Sequence, residues 1–144
     1  MTNFDDGLLT SPTKFVQKAV ILHPRQELIL ALQRPPDPNL YNGPWDLPGG
    51  KVQYGENHLL AIQREISEET GLDVANLQLH WFDTFMNDKR GLYYIFVGYQ
   101  CRALSEDVFL SDEHFSYQWL APHDFLRLPS TPFLQNLVRQ IFQP

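Results

Sequence analysis

Apolar positions along the chain fall into short runs with strand or helix spacing. Phe15 to Leu22 reads as a strand, His23-Pro24-Arg25-Gln26-Glu27 as a turn, and Leu28 to Gln33 as the returning strand. Arg34 to Pro44 is crowded with Pro, Asn and Gly, which predicts a long stiff loop of the kind that often carries function. Trp45-Asp46-Leu47 is a short extended piece, kept so by the proline after Leu47. Asn57 is placed to cap a helix over about His58 to Thr70, with Gly71 as its left-handed stop. Leu77 to Phe85 and Leu92 to Arg102 read as paired strands around Asn87-Asp88-Lys89-Arg90-Gly91, and Phe115 to Leu120 as a further strand. Between Thr131 and Phe142, Phe133, Leu134, Leu137, Val138 and Ile141 recur at helical spacing. Strands on either side of one internal helix, with a second helix near the C-terminal end, predict an α/β fold in which a mixed sheet lies between helices. Residues 1–14 are polar and predict a mobile arm, leaving 15–144 as a single domain.

The internal helix carries an unusual charge pattern. At about 100° per residue from Glu65, Glu68 falls near −60° and Glu69 near +40°, while Leu59, Ile62 and Ile66 fall at roughly 60° to 120°. Three carboxylates therefore form one stripe beside the stripe that enters the core. Like charges three and four apart cost a few tenths of a kcal/mol per pair on an open helix, and more where water is scarce. A divalent cation with a taste for hard oxygen donors would offset that cost. The glycine turn just upstream, Gly49-Gly50, can add backbone oxygens and close approach.

Composition narrows the classes. The chain has 144 residues, 43% of them apolar, which fits one globular core. The formal charge of −6 argues against binding long nucleic acids, which is mostly phosphate neutralisation by Lys and Arg. It leaves room for a small phosphorylated ligand, provided a cation sits between ligand and acid groups. No apolar run is long enough to span a membrane, no signal-peptide pattern opens the chain, and Cys101 is the single cysteine. The expected address is the cytoplasm, and Cys101 is expected to be plain core.

From Gly50 to Leu72 the spacing reads Gly50, Glu56, Arg64-Glu65-Ile66, Glu68-Glu69, Gly71-Leu72. This resembles the complete signature of the Nudix hydrolases, Gx5Ex7REUxEExGU with U apolar, and the order of elements around it resembles the family's α/β/α sandwich. The resemblance implies Mg²⁺- or Mn²⁺-assisted hydrolysis of a nucleoside diphosphate linked to a further group. It assigns Glu65, Glu68 and Glu69 to the metal, with the backbone carbonyl of Gly50 as an extra ligand. Arg64 and Glu56 would pair with each other or with a box glutamate and hold the loop against the helix. The proton acceptor would come from a later loop or from the box. Glu113 is the loop candidate, as base or additional ligand, with its neighbour Asp112 and the box residue Glu65 as alternatives.

Around the box, Trp45 could stack on a base or belong to the core, Tyr41 could close over a ligand, and Lys51 could touch phosphate. Arg34 is expected to be a solvated charge and His58 a surface residue. His23, His80, His114 and His123 lack metal-ligand spacing such as HxxxH, so no role is expected of them. On the strand containing Tyr93, Tyr94, Phe96 and Tyr99, alternate residues should face opposite sides. No proline occurs between Asp73 and Ala121, unlike the ADP-ribose and NADH subgroups of the family. The remaining resemblance is to small MutT-like chains, which implies cleavage of a nucleoside triphosphate, oxidised ones included, to monophosphate and pyrophosphate. A nucleotide-sugar hydrolase is the alternative within the family, and a non-catalytic nucleotide-binding module the alternative outside enzymes. The partner expected is a small nucleotide, and the chain could be a monomer or a homodimer.

Overall fold

In the computed structural model, which describes residues 12–37 and 43–143, the long first strand is where the sheet divides. β1 (Thr13–Leu22) pairs in parallel with β6 (Leu92–Ala103) along its whole length, from Thr13↔Tyr93 to Leu22↔Arg102. On its other side it meets β2 (Ile29–Gln33) at Leu22↔Ile29 and then diverges from it. The segment after the proline-rich loop fills the resulting wedge. β3 (Trp45–Asp46) pairs with β2, and β4 (Gly49–Lys51) pairs with β1 at residues 16 to 18. Between them the Ala19 amide donates to the Pro48 carbonyl at 2.8 Å, so the crossing chain is stitched to the wedge floor. β5 (Val74–Asn87) adds antiparallel to β6, and β7 (Ser116–Leu120) antiparallel to β2, giving a mixed seven-stranded sheet.

Helices cover both faces. Ala19, Ile21, Leu30, Leu32, Tyr99 and Cys101 pack under Ile62 and Ile66 of α1 (His58–Thr70). The alternate residues Val20, Leu22, Ile29 and Ala31 pack under Phe133, Leu134, Leu137 and Val138 of α3 (Pro132–Phe142). Burial on both faces explains why residues 19–22 of β1 and 29–32 of β2 are continuously apolar. A short helix α2 (Pro122–Phe125) adds buried Phe125 to the second layer. The expected α/β/α sandwich is therefore observed. No helix among the described residues is long and apolar enough to cross a membrane.

α1 spans the expected residues, with the expected ends. The Asn57 side chain accepts from the Leu59 and Leu60 amides at 2.9 and 3.2 Å, and Gly71 at φ 71° returns its amide to Ser67 O. Cys101 is buried core as expected, and burial pushes its thiol up to about 12. Several expectations need correction. Leu59, placed on the core stripe, is 40% exposed, and the buried apolar stripe of α1 begins one turn later at Ala61 and Ile62. β1 starts at Thr13, within the expected arm, because Thr13 and Lys14 pair with Tyr93 and Tyr94; residues 1–11 lie outside the described set. β5 starts at Val74, ahead of Leu77, and keeps its pairing with β6 through two register shifts. β4 lies where a glycine turn was expected, and α2 is too short to show a period.

Gly98 on β6 sets how closely α3 approaches: a Cβ there would come 2.3 Å from Leu137 Cδ1. Gly98→Ala is expected to destabilise the fold by about 1–3 kcal/mol through overpacking, with turnover per folded molecule unchanged. Urea melts beside steady-state assays would check it, and a neutral melt would contradict the packing.

Candidate active site

The wedge brings the backbone of β4 directly against the acidic face of α1. Gly49, at φ 146°, donates its amide to Glu69 Oε1 at 2.7 Å. A Cβ on Gly49 would lie 2.0 Å from the Gln17 carbonyl oxygen, and one on Gly50 would lie 2.6 Å from the carboxyl carbon of Glu65. Both glycines are therefore required by close approach, the first to β1 and the second to the Glu65 carboxyl.

Arg64 organises the rim. Its Nε and Nη2 donate to the two oxygens of Glu56 at 2.6 and 3.0 Å, a bidentate pair that ties the loop to the helix. Its Nη1 reaches Glu65 Oε1 at 3.1 Å and Glu68 Oε2 at 3.3 Å. The expected pairing is thus observed. Hydrogen bonding from Arg64 holds Glu56 below the usual carboxylate range. Burial raises Glu65, partly opposed by Arg64. The three glutamates differ in depth: the Glu69 side chain is 4% exposed, that of Glu65 16% and that of Glu68 59%.

Behind Glu69 lies a buried polar cluster that sequence reasoning missed. Asp46, from β3, takes Lys18 Nζ at 3.0 Å and Arg34 Nη2 at 2.9 Å, and Nε2 of buried His114 lies 3.2 Å from its Oδ2. Burial would raise Asp46, but Lys18, the His114 hydrogen bond and Arg34 together hold it well below the usual range. Arg34 is therefore no free solvated charge, and His114, expected to have no role, sits at the centre of the site. His114 Nδ1 is buried without a hydrogen-bond partner, 3.8 Å from Glu69 Oε2. Spacing could not reveal this cluster, because Lys18, Asp46 and His114 come from β1, β3 and the turn before β7. The one available hint was that His114 adjoins Glu113.

Burial pushes the Glu69 carboxyl up to about 8, against the pull of Lys18 and the Gly49 amide, with Asp46 and Glu113 adding to the rise. The folded state thus binds a proton here more tightly than the unfolded chain does. Without a cation, the associated stability is full below about 4.5, the ordinary value, and is lost as pH climbs through about 8.

Glu65, Glu69, Glu113 and His114 line a cleft of about 1230 Å³. Asp112 does not line it, and neither does Glu68. Lys18, Arg34 and Lys51 supply positive charge along the same walls, and half-buried Trp45 lines the cleft while packing on the second core layer. Tyr94 and Phe96 alternate with buried Tyr99 as the strand period requires, and they stack with ring centres 5.4 Å apart. Phe96 also stacks on Phe133 at 4.8 Å, completing an aromatic wall. Tyr41 lies outside the described residues. Exposed His58 still engages the core, its Nδ1 lying 2.7 Å from the Tyr99 hydroxyl.

The donor chemistry fits a divalent cation. Glu69, Glu113 and His114 each offer an atom within 4.8 Å of the others, and Glu69 is a buried carboxyl that loses stability when it ionises alone.

An acidic helix pressed on a glycine-lined strand, at the wall of a deep cleft in an α/β/α sandwich, defines a hydrolase scaffold. The chain belongs to the Nudix family of hydrolases, whose NUDIX domain model matches residues 15–141. It superposes on the crystal structure of a MutT NUDIX hydrolase from Burkholderia pseudomallei with a TM-score of 0.77 at 28% identity, covering 91% of this chain and 99% of that one. It is 31% identical over 101 residues to the nucleoside triphosphatase NudI of Escherichia coli O81 (strain ED1a), which is 62% of this chain and 70% of NudI. Over 49 residues, 34% of each chain, it is 51% identical to the putative 8-oxo-dGTP diphosphatase 2 of Mycobacterium tuberculosis (strain CDC 1551 / Oshkosh).

Proposed function

We propose that the chain hydrolyses a nucleoside triphosphate, oxidised ones included, to the monophosphate and pyrophosphate, with Mg²⁺ or Mn²⁺ as cofactor. The observation that carries this reading is the convergence of Glu65, Glu69 and Glu113 on a cleft that also holds Lys18, Arg34, Lys51 and an aromatic wall. Carboxylates suit a cation, the basic groups suit phosphates, and stacked rings suit a base. Similarity to proteins named nucleoside triphosphatase and 8-oxo-dGTP diphosphatase supports the same substrate class.

Glu69, Glu68 and the Gly50 carbonyl are the proposed metal ligands. Glu113 joins them, because its carboxylate falls in the same donor group as Glu69. When bound, the ion would neutralise phosphate charge and ease ionisation of the attacking water. Glu65, raised by burial and steadied by Arg64, accepts that water's proton. The water oxygen bonds to phosphorus as the bridging P–O bond breaks, and pyrophosphate leaves with the bond's electron pair. Arg64 positions Glu65 and Glu68, Lys51 takes a phosphate oxygen, and Trp45 contacts the nucleoside.

A panel of nucleotides followed by ³¹P NMR tests this. Pyrophosphate and monophosphate should appear only with divalent cation, and Glu65→Gln should lower kcat by about 100-fold or more. Sugar phosphate from a nucleotide sugar, with triphosphates untouched, would move the chain to the other substrate class. Tight nucleotide binding with no product at all would make it a binding module.

A further inference from the structure

His114 stands outside the acidic helix, and its surroundings determine which ring nitrogen is available. Asp46 is gripped by Lys18 at 3.0 Å and Arg34 at 2.9 Å, so it is an ionised acceptor. The His114 nitrogen 3.2 Å from it, Nε2, must then carry the ring proton. In the neutral ring this leaves a lone pair on Nδ1. That atom is buried without a hydrogen-bond partner, on a side chain only 2% exposed, and it faces Glu69 Oε2 at 3.8 Å. The separation is too long for a hydrogen bond. One donor atom each of Glu69, Glu113 and His114 lie within 4.8 Å of one another, close enough to share one ion. A histidine that gives one N–H to a carboxylate and keeps the other nitrogen bare has the arrangement found in metal-binding histidines generally.

We infer that His114 Nδ1 is a nitrogen ligand of the divalent ion, together with Glu69 and Glu113, and that Asp46 fixes its tautomer. The inference rests on the metal-dependent reading above and deepens it. An imidazole in the donor set shifts preference away from Mg²⁺, which favours oxygen, toward Mn²⁺ and the later transition metals.

The test uses Mn²⁺ itself and does not depend on turnover. Pulsed EPR of Mn²⁺ bound to the wild-type chain should show ¹⁴N modulation that becomes ¹⁵N modulation when only the histidines are labelled. His114→Asn should abolish it. By calorimetry that variant should weaken Mn²⁺ by about tenfold or more while Mg²⁺ changes by less than about threefold. If His114→Asn fails to fold, the labelled wild-type spectrum still decides whether a histidine is bound. Mn²⁺ that binds, is lost in Glu69→Gln, and shows no nitrogen coupling would overturn the His114 assignment while leaving the hydrolase reading intact. Failure of Mn²⁺ to bind at all would overturn both.

Discussion

Glu69→Gln is expected to remove nearly all hydrolysis while making the metal-free protein more stable at pH 8. Loss of several kcal/mol of charge stabilisation in the transition state corresponds to a fall in kcat/KM of about 1000-fold. The stability effect has the opposite sign. Burial pushes the Glu69 carboxyl up to about 8, so between about 4.5 and 8 the unfolded chain releases this proton while the folded state without metal retains it, and folding is progressively disfavoured. Glutamine has no such titration, and its amide oxygen can still accept the Gly49 amide that Glu69 Oε1 takes at 2.7 Å. Melts in EDTA should show the wild type losing on the order of 5 kcal/mol across that pH range and the variant holding level. Added Mg²⁺ should stabilise the wild type at pH 8 and leave the variant unmoved. A variant less stable than wild type at pH 8 in EDTA would mean that the carboxylate is neutralised by something other than a proton or a cation.

The adjacent glycines should fail in different ways. Gly49→Ala puts a Cβ against the Gln17 carbonyl of β1 at 2.0 Å, on a residue whose φ of 146° an L side chain rarely adopts. Backbone cannot yield as a side chain does, so a loss of more than about 3 kcal/mol is expected, enough to unfold a marginal domain. Gly50→Ala meets the tip of a side chain instead, the Glu65 carboxyl at 2.6 Å. That carboxyl can swing away, so the fold should survive, but a shift of about 1 Å in the proposed base lowers kcat by about 100-fold. Circular dichroism and kcat measured on both variants separate the cases. A folded, inactive Gly49→Ala, or a fully active Gly50→Ala, would contradict the wedge geometry.

What could be read in advance follows the range of the signal. α1 was legible to the residue because its cap, its period and its stop all lie within Asn57 to Gly71, and the depth order of its glutamates follows from the turn of the helix. The alternation on β6 was legible for the same reason. Asp46, Lys18 and His114 were not, because their meeting depends on how β1 and β2 part and on what enters between them, which no local window records. β4 was hidden by its own glycines. Residues that usually mark a turn serve there to let a strand lie flush against a neighbour's carbonyl and a helix's carboxylate. Arg34 looked like an ordinary exposed cation, and 38% of its side chain is indeed exposed; only the buried Asp46 beneath it gives it a task.

The parallel pairing of β1 with β6 sets an order of assembly. The first strand of the described chain finds its main partner about eighty residues later, so the sheet's middle closes only after Leu92–Ala103 has been synthesised and docked. The glutamate-bearing helix lies inside that loop. Such long-range closure is entropically slow and comes late on the folding pathway. A nascent chain halted before Leu92 would carry every residue of the Gly50 to Leu72 signature and still lack the strand that braces β1 along its whole length.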